Sequence, residues 1–464
     1  MRLDFIDVLL NNLPETIVNI DKASLEKYSH DETENLRFLP QVVIKPRNTN
    51  EVSKVMKICN SYNIPVTPIG AQTGLSGGAL CVEGGVALSL ERLNNILEVD
   101  QKNLQVTVEP AIITQVLQEE VAKYGLYYPP DPASRGTCFI GGNLAENSGG
   151  PRAVKYGVTK DWVLNLEVVL PNGDVIWTGA NTLKNATGYN LTQLMVGSEG
   201  TLGVITKAVL RLIPMPKTNV LMLVEFYSTE DACKAVSAIF RAGITPSAME
   251  FMERDALELA IDFVGESPIE LKDGISAHLL IEVDGNHQEV LMNDCEIISE
   301  TLERFNPGEI YFADDEAQKN NLWKLRRSVG EAVKAFSIYK EEDTVVPRYE
   351  LPKLLAGVKK IGSTYGFRSV CYGHAGDGNL HVNILKGEMD DETWNHSLEK
   401  GIREIFELTV SLGGTLSGEH GVGLVQKNFM DIVFNNIQLQ LMKDIKNVFD
   451  PNGILNPGKI FPEN

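Results

Sequence analysis

The chain has 464 residues, 43% hydrophobic and 22% charged, which at roughly 150 residues per domain suggests about three structural units, each able to bury a core. Its 62 acidic against 42 basic residues give a formal charge of −20, which argues against nucleic-acid and anionic-membrane binding but leaves small anionic substrates open. Met1-Arg2-Leu3-Asp4-Phe5-Ile6-Asp7 sets acids inside its only apolar stretch and does not read as a signal peptide, and no run reaches the ~18 apolar residues of a membrane span.

Residues 41–69 read as strand, helix, strand. Val42-Val43-Ile44 is apolar, Asn48-Thr49-Asn50 offers capping oxygens, and Val52, Val55, Met56 and Cys59 recur at helical spacing before the strand Ile64–Ile69. The glycine-rich run Gly70–Gly78 then leads into a strand, Gly85–Leu90, and not into a helix. That order excludes the dinucleotide fold whose helix N-terminus meets a pyrophosphate, but not a nest of backbone N–H groups around a phosphate.

A helix is predicted over 111–124, ended by Gly125. The stretch Pro129–Pro151 has little periodicity and two glycine clusters, which marks a functional loop. A hairpin follows at 164–177 around Pro171-Asn172-Gly173-Asp174, and Gly197–Gly203 leads into the strand Val204–Ile213. Past Pro214-Met215-Pro216 the pattern becomes strand 220–226, helix 228–241, strand 278–283, helix 288–305, which predicts an antiparallel sheet backed by helices, a ferredoxin-like cap.

The six cysteines, Cys59, Cys81, Cys138, Cys233, Cys295 and Cys371, contain no CxxC pair. This excludes an iron–sulfur segment or a cysteine-rich zinc module here, and predicts apolar filler in a soluble, cytoplasmic protein.

Three of seven histidines fall in two segments, Gly373-His374-Ala375-Gly376-Asp377-Gly378-Asn379-Leu380-His381 and Ser417-Gly418-Glu419-His420-Gly421. Two imidazoles and a carboxylate suit a divalent metal such as Zn, Fe or Mn. On extended chain the side chains of Glu419 and His420 diverge, so one can serve the metal while the other faces a substrate. Arg326, Arg327, Lys340 and Arg348 form a basic group. The first two lie on an apparent helix with Leu322, Leu325, Val329 and Val333, where exposure is the ordinary expectation, although a buried carboxylate would need one bidentate Arg.

From about Val42 to Ile460 these motifs resemble the FAD-linked D-2-hydroxyacid dehydrogenases of the vanillyl-alcohol-oxidase superfamily. That group includes the glycolate oxidase D subunit, flavin-dependent D-lactate dehydrogenase and D-2-hydroxyglutarate dehydrogenase. The resemblance implies an α+β fold: a two-subdomain FAD-binding domain of PCMH/VAO type over 1–216, a cap carrying substrate and metal sites over 217–424, and a C-terminal segment, 425–464, returning to the FAD domain. It implies non-covalent FAD held by Pro68, Gly70, Gln72, Thr73, Gly74, Ser76, Gly77 and Gly78. Pro130, Asp131, Ser134, Thr137, Gly141, Gly142, Asn147, Gly149 and Gly150 would line the isoalloxazine and diphosphate, with Glu199, Gly203, Ile205 and Asn456 completing the site.

The same resemblance makes His374, His381 and Glu419 metal ligands and His420 the base, with Arg326, Lys340, Arg348 and Asn383 on the substrate side. Gly330, four residues after Arg326, stands where dicarboxylate-specific members tend to offer a hydroxyl, which favours a small monocarboxylate such as D-lactate over D-2-hydroxyglutarate, with glycolate as an alternative. With no iron–sulfur extension, electrons are expected to pass to a partner such as the electron-transfer flavoprotein that serves related subunits in anaerobes. Two other classes remain open on sequence: a metal-dependent hydrolase using the same ligands, and a non-catalytic flavin-binding subunit.

Overall fold

The computed structural model describes residues 5–265, 269–313 and 315–462, so residues 1–4 of the N-terminal stretch lie outside the described residues. The chain divides into unit 1, comprising Met1–Gly149, Val158–Met215 and Glu419–Asn464, and unit 2, comprising Gly150–Gly157 and Pro216–Gly418.

After an N-terminal helix (Phe5–Asn12), unit 1 has two short strands, β1 (Val18–Asn19) and β2 (Val42–Ile44), the second fully buried. Helix α1 (Thr49–Tyr62) starts where the Asn48 side chain accepts a 3.0 Å hydrogen bond from the Glu51 N–H, and stops at Asn63 with φ 52°. Its stripe Val52, Val55, Met56, Cys59 is buried against β3 (Val66–Ile69) and β4 (Val86–Ser89), in a sheet of order β1-β2-β4-β3. Burying each of the Val and Met side chains contributes about 1.5–3 kcal/mol, so an Asp at Val55 would break the layer. β2 and β3 both run parallel to β4, and the chain end joins this sheet: Val66 donates to the Ile454 carbonyl at 2.8 Å and its own carbonyl accepts from Asn456 at 2.7 Å. The returning segment starts at Glu419, earlier than the 425 expected.

A second, antiparallel sheet has order β5-β6-β9-β7-β8, from Ile96–Asp100, Gln105–Val108, Val204–Arg211, Val163–Val169 and Val175–Trp177 respectively. The β7–β8 hairpin closes at Gly173, φ 83°, whose N–H donates to Leu170. Helix α2 (Thr114–Ala122) stands where expected. The loop expected over 129–151 instead contains a helix, α3 (Ile140–Glu146). A glycine pair carries no apolar periodicity, yet glycine is required there: a Cβ on Gly141 would sit 2.7 Å from the Pro110 Cβ. Asn143 anchors the turn by donating to the Thr114 hydroxyl at 2.7 Å.

Unit 2 is built on a seven-stranded antiparallel sheet of order β13-β10-β12-β11-β15-β16-β14. Its strands in chain order are β10 (Thr218–Phe226), β11 (Ala248–Glu253), β12 (Ala277–Gly285), β13 (Pro307–Phe312), β14 (Tyr339–Val345), β15 (Arg368–Gly373) and β16 (Asn379–Leu385). Helices α5 (Arg254–Val264) and α7 (Glu316–Phe336) cover one face; α4 (Thr229–Arg241), α6 (Gln288–Leu302) and α8 (Leu351–Tyr365) cover the other. Helix α7 buries Leu322, Leu325, Val329 and Val333, and Arg326 on the same stripe goes under with them. Residues Gly150–Gly157 belong to this unit: Arg152 pairs with Glu282 at 2.9 Å and the Tyr156 hydroxyl donates to Asp284 at 2.8 Å. Among the described residues no helix is long and apolar enough to cross a membrane.

Candidate active site

Unit 1 holds a cavity of about 240 Å³ whose walls are the glycine run, α3 and its approach, the Ser198–Ile205 turn and strand, and the pair Glu419 and His420. Of the residues assigned to the cofactor from sequence, Pro68, Gly70, Gln72, Thr73, Gly74, Gly78, Ser134, Gly141, Gly142, Glu199, Gly203 and Ile205 line it. Gln72 turns its amide toward the carbonyls of Lys27 and His30, tying the loop to the N-terminal segment.

The others lie behind the walls or elsewhere. The Ser76 carbonyl accepts from the Leu424 N–H, and Gly77 packs on Leu424. The Pro130 carbonyl accepts from Gln118, Asp131 pairs with Arg135 at 2.9 Å, and the Thr137 hydroxyl donates to the Ser134 carbonyl. Asn147 ends α3 with φ 57° and accepts from the Lys160 N–H. Gly149 packs beside Glu419, Gly150 belongs to unit 2, and the Asn456 amide buttresses the wall from behind by donating to the carbonyls of Gly78 and Glu199.

No lysine or arginine is among the residues lining the cavity. A diphosphate there would be held by backbone N–H groups and by hydroxyls such as Thr73, Ser134 and Ser148. The residues present fit FAD. A methyl on Gly74 or Gly142 would meet no protein atom within 4 Å, so bare backbone faces open space on two walls. Glu146 also lines the cavity and has a buried Oε2 with no hydrogen-bond partner. Burial, then the neighbouring Glu199 and Asp31, push its carboxyl well above the usual range. Sequence reading missed this residue, because a lone Glu beside Asn147 carries no motif.

In unit 2, pairing of Phe251 with Gly373 brings β11 beside the end of β15, and with it Glu250 beside His374. The fully buried Glu250 carboxylate meets the His374 Nδ1 at 2.9 and 2.8 Å and the Arg326 Nη2 at 2.6 Å. Burial alone would raise its pKa, but His374 and Arg326 outweigh that and hold it below the ordinary value. The ring of His381 lies 5.4 Å from that of His374, edge to face, and its Nδ1 is 3.1 Å from Glu341. The His374 imidazole thus directs Nδ1 at a carboxylate, which leaves its Nε2 as the atom a metal would take. That donor chemistry fits a divalent cation.

Asp343 links the two histidine motifs: Oδ1 accepts from Asn379 at 2.7 Å, and Oδ2 from the Ser417 hydroxyl and Gly418 N–H at 2.8 and 2.9 Å. Asn383, opposite Glu341 in the sheet, is fully buried with an incompletely satisfied amide, the Tyr372 hydroxyl being the polar group beside it. Arg326 keeps a buried Nε without a hydrogen-bond partner, with its guanidinium 5.0 Å from the centre of the Tyr372 ring.

Two residues assigned to substrate are not brought to this cluster. Side chains alternate along β14, so Lys340 falls on the face opposite Glu341, where it donates to the Trp394 carbonyl at 3.0 Å. Arg348 stacks over Phe240 at 3.9 Å. Arg326 is buried, against the exposure expected, and Arg327 is half-buried over Trp323. Of the remaining assigned residues, His374, His381, Arg326 and Asn383 belong to unit 2 and Glu419 and His420 to unit 1.

The chain matches the FAD binding domain over residues 40–179 and the C-terminal domain of the FAD linked oxidases over 215–460. It is 40% identical over 438 residues to glycolate oxidase subunit GlcD of Bacillus subtilis (strain 168), covering 94% of this chain and 92% of that one. It is 38% identical over 440 residues to D-lactate dehydrogenase of Anaerostipes hadrus, with the same two shares. With D-2-hydroxyglutarate dehydrogenase of Stutzerimonas stutzeri (strain A1501) the identity is 33% over 447 residues, 95% of each chain. Among solved structures, substrate-bound p-cresol methylhydroxylase aligns over 98% of this chain and 96% of its own, TM-score 0.81, and its 19% identity speaks for the fold alone. The α+β, PCMH/VAO-type fold expected from sequence is the fold observed, and a FAD-binding domain sets aside the hydrolase reading. The chain belongs to the FAD-linked oxidases, in the group of glycolate, D-lactate and D-2-hydroxyglutarate dehydrogenases, and its cofactor is FAD.

Proposed function

We propose that this chain oxidises a small D-2-hydroxy monocarboxylate, D-lactate before others, to the 2-oxoacid with the help of a divalent metal, and passes the electrons to a protein acceptor such as an electron-transfer flavoprotein. The observation that carries this reading is the buried Nε of Arg326, a donor without a partner, and the incompletely satisfied buried amide of Asn383, both on the unit 2 sheet and helix that carry the His374–His381 pair. Orphaned buried donors cost about 1–3 kcal/mol each unless a ligand satisfies them, and a carboxylate would accept from both the Arg326 Nε–H and the Asn383 Nδ2–H.

His374 and His381, together with Glu419, would hold the cation, and Arg326 and Asn383 would orient the substrate carboxylate. His420 would take the hydroxyl proton as the Cα–H bond breaks. FAD supplies the two-electron acceptor and the cation a Lewis acid.

Two features support a short substrate. A Cβ on Gly330 would lie 3.2 Å from the Tyr372 hydroxyl, so the space beside this glycine, one turn on from Arg326, is already taken. Glu341 shares the sheet face of Asn383 and would repel a second carboxylate. Glycolate is the second reading, favoured by the identity to a glycolate oxidase subunit. A protein acceptor is supported by the cysteines, all six free and buried, which leave no thiolate set for an internal cluster.

The test is kcat/KM for D-lactate, L-lactate, glycolate and D-2-hydroxyglutarate with an artificial acceptor, and metal analysis alongside. D-lactate should lead. A lead by D-2-hydroxyglutarate would overturn the short-substrate reading.

A further inference from the structure

Glu250 belongs to no motif, yet it is the carboxylate on which the two ends of the unit 2 cluster converge. Strand register brings it to His374, and the Gly376 N–H, donating to the Met249 carbonyl at 3.0 Å, clamps the turn between the histidines onto the same strand. One oxygen pair thus faces the imidazole Nδ1 and the guanidinium Nη2 together.

We propose that Glu250 is a positioning residue that couples metal affinity to substrate affinity, by fixing the His374 ring with Nε2 toward a divalent cation and aiming Arg326 at the substrate carboxylate. The inference deepens the function proposed above and rests on that reading. A carboxylate accepting from Nδ1–H selects the tautomer whose Nε2 lone pair binds metal and raises the basicity of that nitrogen. The same negative charge keeps a guanidinium stable at 4% exposure, where an uncompensated cation would be expelled or would drag water inside. A purely structural ion pair would be expected to satisfy its own donors. Here the Arg326 Nε donor is left over, as a cluster built around an incoming anion requires.

The experiment compares flavin-loaded wild type with Glu250→Gln, Glu250→Asp and the double variant Glu250→Gln/Arg326→Gln, which leaves no unpaired buried charge and so guards against loss of fold. Zn²⁺ affinity is measured by competition with a chromophoric chelator, and KM and kcat for D-lactate at saturating Zn²⁺. Glu250→Gln should bind Zn²⁺ ~10–100-fold more weakly, raise KM by ~10-fold or more and change kcat less. Aspartate should recover part of both losses, and the double variant should keep the weakened Zn²⁺ binding. Zn²⁺ affinity and KM at wild-type values in either glutamine variant overturn the inference alone. A wild-type protein that binds no Zn²⁺ overturns the metal-assisted reading together with it.

Discussion

Glu199 and Gly423 lie 224 residues apart in the chain and are joined by a 2.7 Å hydrogen bond from the glycine N–H to the carboxylate Oε2. The other oxygen accepts from the Val422 N–H at 2.8 Å. Between these donors and His420 stands Gly421, φ 80°, where a Cβ would lie 2.0 Å from the Glu146 Oε2 and no other residue fits. The backbone that carries His420 is therefore registered from within unit 1 by the turn that lines the FAD cavity.

Replacing Glu199 by Ala should leave two N–H groups without acceptors, at about 1–3 kcal/mol each. The expected outcome is a lower melting temperature and a fall in kcat larger than any loss of flavin, read by thermal melts, the visible spectrum and steady-state kinetics. Unchanged kcat in a folded Glu199→Ala protein would contradict the registration of His420.

His420→Ala should lower turnover by at least ~10²-fold while the protein stays yellow, since a positioned base is worth that much to proton removal. Stopped-flow reduction of the flavin by D-lactate measures the step directly. A rate near wild type would remove His420 from the mechanism.

Burial, reinforced by Glu341 and Asp343 and opposed by Lys340, pushes the Glu342 carboxyl from 4.5 up to about 8. A carboxyl whose folded pKa is raised contributes its stability fully below pH 4.5 and loses it as pH rises to about 8, because the unfolded chain ionises first. Glu342→Gln should therefore match wild type near pH 4.5 and melt higher than wild type at pH 8. Equal melting temperatures at both pH values would show that Glu342 is ionised in the fold.

Much of the frame is legible in the sequence. Val52, Val55, Met56 and Cys59 announce α1 by spacing alone, Asn172-Gly173 announces its hairpin, and a strand after Gly70–Gly78 removes the dinucleotide fold. Helix α3 was hidden because its glycine pair carries no apolar periodicity, and the close approach of Gly141 to Pro110 is something spacing does not encode. Lys340, placed on the substrate side by resemblance, is turned away by strand parity: β14 sends Glu341 and Asp343 to the face of His381 and Asn383, and Lys340 to the other. Glu250 and Glu146 had no signal at all, since each acquires its role from a partner more than fifty residues away, His374 for the first and Glu199 for the second.

Gly330 and Tyr372 should behave as a pair. Gly330→Thr forces its side chain against the Tyr372 hydroxyl, 3.2 Å from a Cβ, and should lower kcat/KM for D-lactate by ~10-fold or more. Tyr372→Phe in the same protein should recover part of that loss, and alone should improve longer 2-hydroxy monocarboxylates relative to D-lactate. A ratio of kcat/KM values that none of these variants moves would separate this pair from substrate selection.

The most direct test of a 2-hydroxyacid dehydrogenase in this fold is anaerobic titration of the purified flavoprotein with D-lactate and, separately, L-lactate, followed by visible absorption. D-lactate should bleach the oxidised flavin with one equivalent per FAD, and L-lactate should leave it yellow. A flavin that stays oxidised under excess D-lactate, glycolate and D-2-hydroxyglutarate alike, with metal restored, would contradict the account.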